Sequence, residues 1–475
     1  MAKKPLLGPR IRRLRREHSM TQADMASRLG ISASYLNLIE NNHRPMTVDL
    51  LLRLGQTFDV DLQTFAEDDA GRLVAGLSEV FSDPLFEPID IKRHDLGDLA
   101  GSVPTAAQAM ITLYRAYREA RDNLALLTEQ GAGDVGRLES PRTMVEEVRD
   151  FFDRESNYFP DLEAAAEDVW QSAKLDSANL WQGLSEYLEQ ELAVRVKTMP
   201  IDVMGAARRR YDRHTRRLLI SEMLPLPSRN FQLAVQIGLI RARPLIDQRI
   251  AQAGFATTEA GGLARLALAN SFAAAVIMPY DRFYRAATAV RYDIAVLKRR
   301  FEASFEQVCQ RLTTLQKPGA KGIPFFMIRI DNAGNVSKRF SSARLHFARF
   351  GGACPRWNVH EAFSSPGQIH TQVSEMTDGA RYFSIARTVS KPGAGYHQPG
   401  QTFAVALGCE IAHAAQLIYA DGVDLQNDDI AVPIGLQCRL CERRDCVQRA
   451  FPPASHRLSL DENVLGPTPY RFDTA

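Results

Sequence analysis

Apolar positions recur at helical spacing near the start of the chain, and each run is punctuated. In MTQADMASRLGISASYLNLIENNHRPMTVDLLLRLGQTFDV, residues 20–60, Thr21 predicts a cap for a short helix over 22–29. Asp24 sits in that helix's first turn, where the dipole favours an acid. Gly30 predicts its end, because glycine takes a left-handed backbone cheaply. Ser32 predicts a second helix over 33–40, with Leu36 and Ile39 turned inward at i, i+3. Thr47 predicts a further helix carrying Leu50, Leu51, Leu54 and Phe58. A longer helical stretch, TAAQAMITLYRAYREARDNLALLTEQ, has one apolar face through Met110, Leu113, Tyr117, Leu124 and Leu127. That stripe suits ordinary domain packing or a dimer helix. From about 141 to 315 helices alternate with strand-like runs in LAVRVKTMPIDV and RRLLISEMLP. Beyond that, PFFMIRIDNAGNVSKRF reads as a hairpin around a D-N-A-G-N turn. ARYFSIARTVSKP and GQTFAVALGCEI add strands, and CEIAHAAQLIYADG, from Cys409, reads as a helix.

The expected organisation is multidomain, as 475 residues require. An all-α helix-turn-helix head (1–66) is followed by an acidic, Gly- and Pro-punctuated linker (67–104) and a helical connector (105–140). An α+β middle domain (141–318) and a small α/β C-terminal domain, GAF-like in type (319–475), complete it.

Composition adds bounds. The chain is 45% apolar and 24% charged with a net charge of +2, so affinity for nucleic acid must come from local clustering. Residues 3–17 supply it, with Lys3, Lys4, Arg10, Arg12, Arg13, Arg15 and Arg16 against Glu17 alone. No apolar run is expected to reach the roughly 18–20 residues that span a bilayer. The N-terminus lacks the features of a signal peptide. A cytoplasmic protein without membrane attachment is expected, and there disulfides are rare. The six cysteines are therefore core residues, ligands or reactive thiols.

Two short helices joined by a glycine turn form the helix-turn-helix unit, whose second helix enters the DNA major groove. Ser32, Ala33, Ser34, Tyr35 and Asn37 are expected to face outward and reach base edges or phosphates. Gln22 can bond a phosphate or a base, and Arg13, in the basic cluster, can hold a phosphate. The segment resembles the phage-repressor type of this motif, with its TQxxxAxxxGxSxxxxxxxE pattern almost intact. A double-stranded DNA operator is the expected partner, with a helical hairpin for protein contact as the alternative. Such proteins often bind as dimers on half-sites about 34–36 Å apart, so a homodimer or a dimer of dimers is expected.

In the middle domain, RNFQLAVQIGLI and LARLALANSFAAAVIMP resemble two signature segments of a bacterial zinc metallopeptidase-like family. Active members carry H-E-x-x-H in the first segment, two histidines for zinc and a glutamate base. Here those positions read Val235, Gln236, Ile237, Gly238 and Leu239. Arg265, Leu266, Ala267 and Leu268 precede Ala269 and Asn270 where the family offers an acidic ligand. Without ligands there is no Lewis acid and no activated water. No enzyme is expected; what remains is a fold free to bind something else. Candidates for contacts are the aromatic residues Phe151, Phe152, Tyr158 and Phe159, with Arg195 and the arginines of GAARRRYDRHTRRLLI, Arg208, Arg209 and Arg210 first. Arginine forks suit phosphates and aromatic faces suit a purine.

Near the C-terminus, Cys438-x2-Cys441-x4-Cys446 has metal-ligand spacing. Arg439, Arg443 and Arg444 favour thiolate there. Cys409 is the expected fourth ligand, with Cys354 and His413 as alternatives, while Cys309 on FEQVCQRL is expected in the core. Spacing alone fits iron-sulfur and zinc equally. The head, the degenerate peptidase-like middle and the tail GLQCRLCERRDCVQRAFPP together resemble the short-chain fatty acyl-CoA regulator family, bacterial transcription factors of propionate and acetate metabolism. The resemblance implies an acyl-CoA effector, propionyl-CoA in particular, in the middle domain. It also implies an iron-sulfur cluster of the 4Fe–4S kind on the tail cysteines, with zinc as the alternative. A redox- or iron-responsive factor switched by the cysteine site is the competing function.

Overall fold

The structure is a computed structural model. It describes residues 8–18, 20–41, 44, 46–58, 69–86, 91–130, 141–343, 354–391, 393, 397, 400–435, 438 and 441–452. The chain divides into two compact units, Met1–Arg121 and Asp122–Ala475.

In the first unit, helices Gly8–Glu17, Gln22–Leu29, Ala33–Glu40 and Val48–Phe58 enclose a core of Ile11, Met25, Leu29, Leu36, Ile39 and Leu54. The punctuation acts as expected. Thr21 and Asp24 form a reciprocal capping box, and Gly30 closes the helix at φ +67°. Ser32 accepts the Tyr35 N–H, and Thr47 accepts the Leu50 N–H at 3.4 Å.

The stretch expected as a linker is instead largely helical, with helices Asp69–Phe81 and Arg93–Ser102 on either side of a 3-10 turn, Pro84–Phe86. With the start of helix Pro104–Gln130 they bury Leu77, Val80, Leu96, Ala107, Ile111 and Tyr114. The Gly and Pro residues that suggested a linker have packing roles. Pro84 opens the turn, and a side-chain carbon on Gly76 would come within 2.7 Å of Ile111 Cδ1. The apolar face expected on helix Pro104–Gln130 is met only in part, with Met110 packed against this core. Ala107, Ile111 and Tyr114 pack inward, while Leu113 is 73% exposed. The side chains of Leu124 and Leu127 lie outside the described residues.

In the second unit, a three-stranded sheet runs β1-β3-β2. β1 (Arg195–Met199) is parallel to β3 (Arg217–Ser221), and β2 (Arg209–Asp212) is antiparallel to β3. A six-stranded sheet follows: β4 (Phe326–Ile330), β5 (Val336–Ser341), β6 (His370–Glu375), β7 (Arg381–Lys391), β8 (Gln401–Glu410) and β9 (Val432–Pro433). Its order is β5-β4-β8-β7-β6-β9, antiparallel except where β6 meets β9. The expected hairpin is β4–β5, whose turn is held by the Asp331 carboxylate accepting the Ala333 and Asn335 N–H groups.

Strand alternation sends Met327, Val405, Leu407 and Cys409 into one core with the helices, and Phe326, Ile328, Ala404 and Ala406 into a core on the other face. The first core also holds Phe272 and Phe283. A division at residue 318 therefore does not separate cores: one face of the C-terminal sheet completes the core of the middle domain. Helix Thr258–Ile277 corrects the expectation about apolar runs, being long and apolar enough to cross a membrane by length and composition. Here it packs as a core helix, with Ala264, Leu268, Phe272 and Val276 fully buried.

Candidate functional site

On helix Ala33–Glu40, Ser34 and Asn37 are exposed, as is the capping Ser32, and Tyr35 is half-buried. This face is held in place by Glu40, whose side chain is fully buried. Arg15 donates to both Glu40 oxygens at 2.7 and 3.1 Å, and Gln22 Nε2 donates to one of them at 2.8 Å. Burial works to raise the Glu40 pKa. The Arg15 and Gln22 hydrogen bonds and the charges of Arg15 and Arg12 outweigh it and hold the carboxyl below its usual range. Gln22 is thus tied to the scaffold through its amide nitrogen. Asn37 Oδ1 accepts from Asn41 Nδ2 at 2.7 Å. The side chain of Arg13 falls outside the described residues, as do Lys3 and Lys4.

The second unit contains a cavity of about 580 Å³, within the size range of small-molecule sites. Its lining combines apolar side chains, Val145, Val148, Phe152, Phe231, Leu263 and Leu266, with basic ones, Arg149, Arg208, Lys338, Arg339 and Lys391. Two carboxylates neutralise part of that charge. Glu146 accepts from Arg149 at 2.5 Å and from Arg339 at 2.7 Å. Glu306 meets Arg329 at 2.7 Å, Lys338 at 2.8 Å and Lys391 at 3.7 Å. Burial pushes the Glu306 carboxyl up, but those three cations overcome it and hold the pKa at about 2.

Of the residues expected to contact a ligand, Phe152 and Arg208 line this cavity. Phe151 stacks on Phe159 in a buried aromatic cluster, with centroids 5.7 Å apart, and Tyr158 meets Tyr280 edge-on at 5.6 Å. Both belong to or pack against the core. Arg195 is exposed beside Glu189, and Arg210 is exposed. Arg209 donates to the Gln232 carbonyl at 3.4 Å, and burial lowers its pKa. Lys338, Arg339 and Lys391 escaped sequence reasoning because the sheet brings them in from far along the chain.

The positions that hold zinc in active peptidases lie on helix Leu226–Arg241. Val235, Gln236, Ile237 and Gly238 are buried, and a side-chain carbon on Gly238 would come within 2.7 Å of Phe272 Cδ1. The helix therefore packs directly against helix Thr258–Ile277, with the Phe272 ring against Gly238. Asn270, from the second signature segment, lines the cavity, and Arg265 pairs with Asp247 at 2.9 Å.

Among the described residues no group of three or more His, Cys, Asp or Glu side chains is disposed to hold a metal ion. The structure does not bring Cys409 to the tail. Its side chain is in the core on the helix-bearing face of the sheet, where burial pushes its thiol up to about 12. Cys354 is in the core on the opposite face. Burial raises its pKa too, with the Cys438 and Cys441 thiols adding to the rise. The tail loop closes tightly: a side-chain carbon on Gly435 would come within 2.9 Å of Cys441 Sγ. Arg449, 6% exposed, donates to the Cys438 and Cys441 carbonyls at 2.9 Å each. Arg443 donates to the carbonyls of Glu375 and Met376 at 2.8 and 3.1 Å, fastening the loop to the end of β6. Cys446 is half-buried, Arg444 is exposed, and Arg439 lies outside the described residues. His413 sits on helix Ile411–Ala414 beside Gln416, and Cys309 is in the core as expected.

Three segments match known families. Residues 11–65 match a helix-turn-helix model, 189–313 the IrrE N-terminal-like domain of peptidase family M78, and 314–470 the short-chain fatty acyl coenzyme A regulator, C-terminal. The HTH-type transcriptional regulator PrpR of Mycobacterium tuberculosis is 41% identical over 98% of this chain and 95% of its own. A propionyl-CoA carboxylase regulator of Cereibacter sphaeroides is 41% identical over 99% of this chain and all of its own. A solved structure of a Mycobacterium tuberculosis transcriptional regulator, 44% identical, superposes with a TM-score of 0.67 over 69% of this chain and 99% of that one.

Proposed function

The chain belongs to the short-chain fatty acyl-CoA regulator family, and from that footing we propose that this helix-turn-helix transcriptional regulator sets its DNA affinity by binding a short acyl-CoA, propionyl-CoA foremost, in the cavity of the second unit. The cavity's mixed apolar and basic lining carries the reading. Phosphates of the nucleotide part meet Arg208, Lys338 and Lys391, and the acyl end meets Phe152, Phe231, Leu263 and Leu266. In the head, Ser34 and Asn37 read base edges, supported by Ser32 and Tyr35, while Arg13 and its basic neighbours hold phosphates. The family's peptidase chemistry has no residues to run on here, so the pocket binds and does not cleave. A homodimer on paired half-sites in the cytoplasm fits this role.

An effector moves an equilibrium only by its difference in affinity for two protein states, so the acyl group must touch something whose packing differs between them. Each buried methylene contributes about 0.8 kcal/mol. Titration of operator binding with propionyl-CoA, acetyl-CoA and free CoA should therefore give several-fold steps. Equal effects of propionyl-CoA and free CoA would show that the acyl group is not sensed. No effect of any of them, alongside DNA affinity that follows oxidation of the cysteine loop, would favour the redox-responsive reading.

For the cysteine loop, the donor chemistry fits thiolate ligation. We place Cys354 with Cys438, Cys441 and Cys446 as holders of an iron-sulfur cluster, or of zinc, because Cys354 shares a core with Ile434, next in the chain to Gly435, against which Cys441 closes. A bound cluster would add redox sensitivity to the regulator. The loop's own residues, Arg449 and Arg443, fix its backbone through carbonyls and supply positive charge beside the thiols.

A further inference from the structure

Glu306 occupies an unusual place at the wall of the cavity. It lies in the first turn of helix Phe305–Leu312, and it draws together three cations from three strands: Arg329 on β4, Lys338 on β5 and Lys391 on β7. One carboxylate cannot neutralise three cations. Arg208, which lines the same cavity, makes no ion pair among the described residues and adds to the excess. Even with Glu146 paired to Arg149 and Arg339, the lining is left net positive around Glu306.

The three partners are not equivalent. Arg329 is secured apart from the cavity: its Nε donates to Ser337 Oγ at 2.9 Å, its guanidinium lies 4.4 Å over the Phe403 ring, and its side chain is 11% exposed. Lys338 and Lys391 line the cavity, with side chains 36% and 31% exposed; Lys391 also lies 5.1 Å from the Phe403 ring centroid, but its contact with Glu306 is beyond hydrogen-bond length. An anion entering the cavity can therefore draw both lysines away while Arg329 remains on Glu306. The carboxylate, only 12% exposed, is then never left unpaired, which would be unfavourable.

We propose that Glu306 is an internal competitor for the effector's phosphates, and that it makes the cavity selective for multiply charged ligands. The proposal rests on the reading of this cavity as the acyl-CoA site. A singly charged ligand offers each lysine no more than Glu306 already gives. A phosphate dianion or a pyrophosphate reaches both lysines and Arg208 at once and displaces the carboxylate. The exchange also loosens the tie between helix Phe305–Leu312 and strands β5 and β7, so occupancy is felt at the joint between the helices and the C-terminal sheet.

The test uses full-length protein and calorimetric titration with CoA, 3′-dephospho-CoA, pantetheine and inorganic pyrophosphate. Glu306→Gln should bind CoA and pyrophosphate about three- to tenfold more tightly than the parent protein, and its response to pantetheine, which has no phosphate, should not change. Without an anion the variant should melt lower, and pyrophosphate should raise its melting point more than it raises the parent's. Glu306→Asp should keep the parent's selectivity. Should the Gln variant not fold, Lys391→Gln gives the same information, because it should weaken CoA and pyrophosphate and spare pantetheine. Equal or weaker phosphate binding by Glu306→Gln would overturn the proposal. CoA binding that is the same in all variants overturns it while leaving the acyl-CoA reading intact. The expected pyrophosphate response without CoA binding overturns the acyl-CoA reading and keeps the competitor.

Discussion

Buried carboxylates carry much of the specific chemistry in both units. Glu306 has a pKa of about 2 in the fold against an ordinary value of 4.5. A folded pKa below the unfolded one adds stability that is fully present above about pH 4.5 and is lost as pH falls toward 2. A denaturant titration across pH 2–6 should show that loss in the parent protein, and Glu306→Gln should flatten it. Glu40 has the same sign, with Arg15 and Gln22 holding it low. Because Glu40 orients the recognition face, readout by Asn37 should depend on a rigid scaffold. Asn37→Ala should cost roughly 1–3 kcal/mol on the preferred operator and relax its specificity. Arg13→Ala should weaken all DNA alike and lower the salt slope by about one. Binding measured on operator and random duplex at several salt concentrations separates the two, and identical behaviour would show the roles are misassigned. Glu40 stands within the repressor-like sequence pattern, but its partners Arg15 and Gln22 come from two other helices. No local signal pairs them.

At the scale of elements, the caps were legible because each is a local event. Thr21, Gly30, Ser32 and Thr47 act on backbone groups within a few residues of themselves. In the segment 67–104 the glycines and prolines suggest a linker, yet the helical apolar spacing of Leu73, Leu77 and Val80 decides the fold. Gly76 permits close helix packing there, and Gly238 does the same in the second unit. Gly238→Ala tests the second case. Alanine favours a helix by about 1 kcal/mol, but its methyl must displace the buried Phe272 ring. A net destabilisation of about 1–3 kcal/mol is expected from overpacking, read from the urea midpoint of the full chain. An unchanged or higher midpoint would show that the two helices can separate without cost.

Across the whole molecule, sheet topology decides which distant residues can act together. Cys409 is the fourth ligand the sequence favours, with Cys354 as an alternative, yet the two lie on opposite faces of the six-stranded sheet. Protein purified without oxygen should carry iron and sulfide. Cys354→Ser, Cys438→Ser, Cys441→Ser and Cys446→Ser should each remove them, while Cys409→Ser should keep them. One zinc per chain in place of iron would make the site structural, and loss of metal in Cys409→Ser alone would reverse the assignment. The sequence by itself determined the helix-turn-helix, the strands of the hairpin and the loss of the zinc ligands, because each depends on neighbours within a few residues or one turn. Only the tertiary structure decided that Lys338, Arg339 and Lys391 join the cavity's basic lining and that the helices share a core with the sheet. It also turned Phe151 into the interior, packed Tyr158 against it and set the two cysteines apart. Those outcomes depend on strand order and on which face of a strand each side chain takes. Both are fixed by long-range burial and not by local spacing.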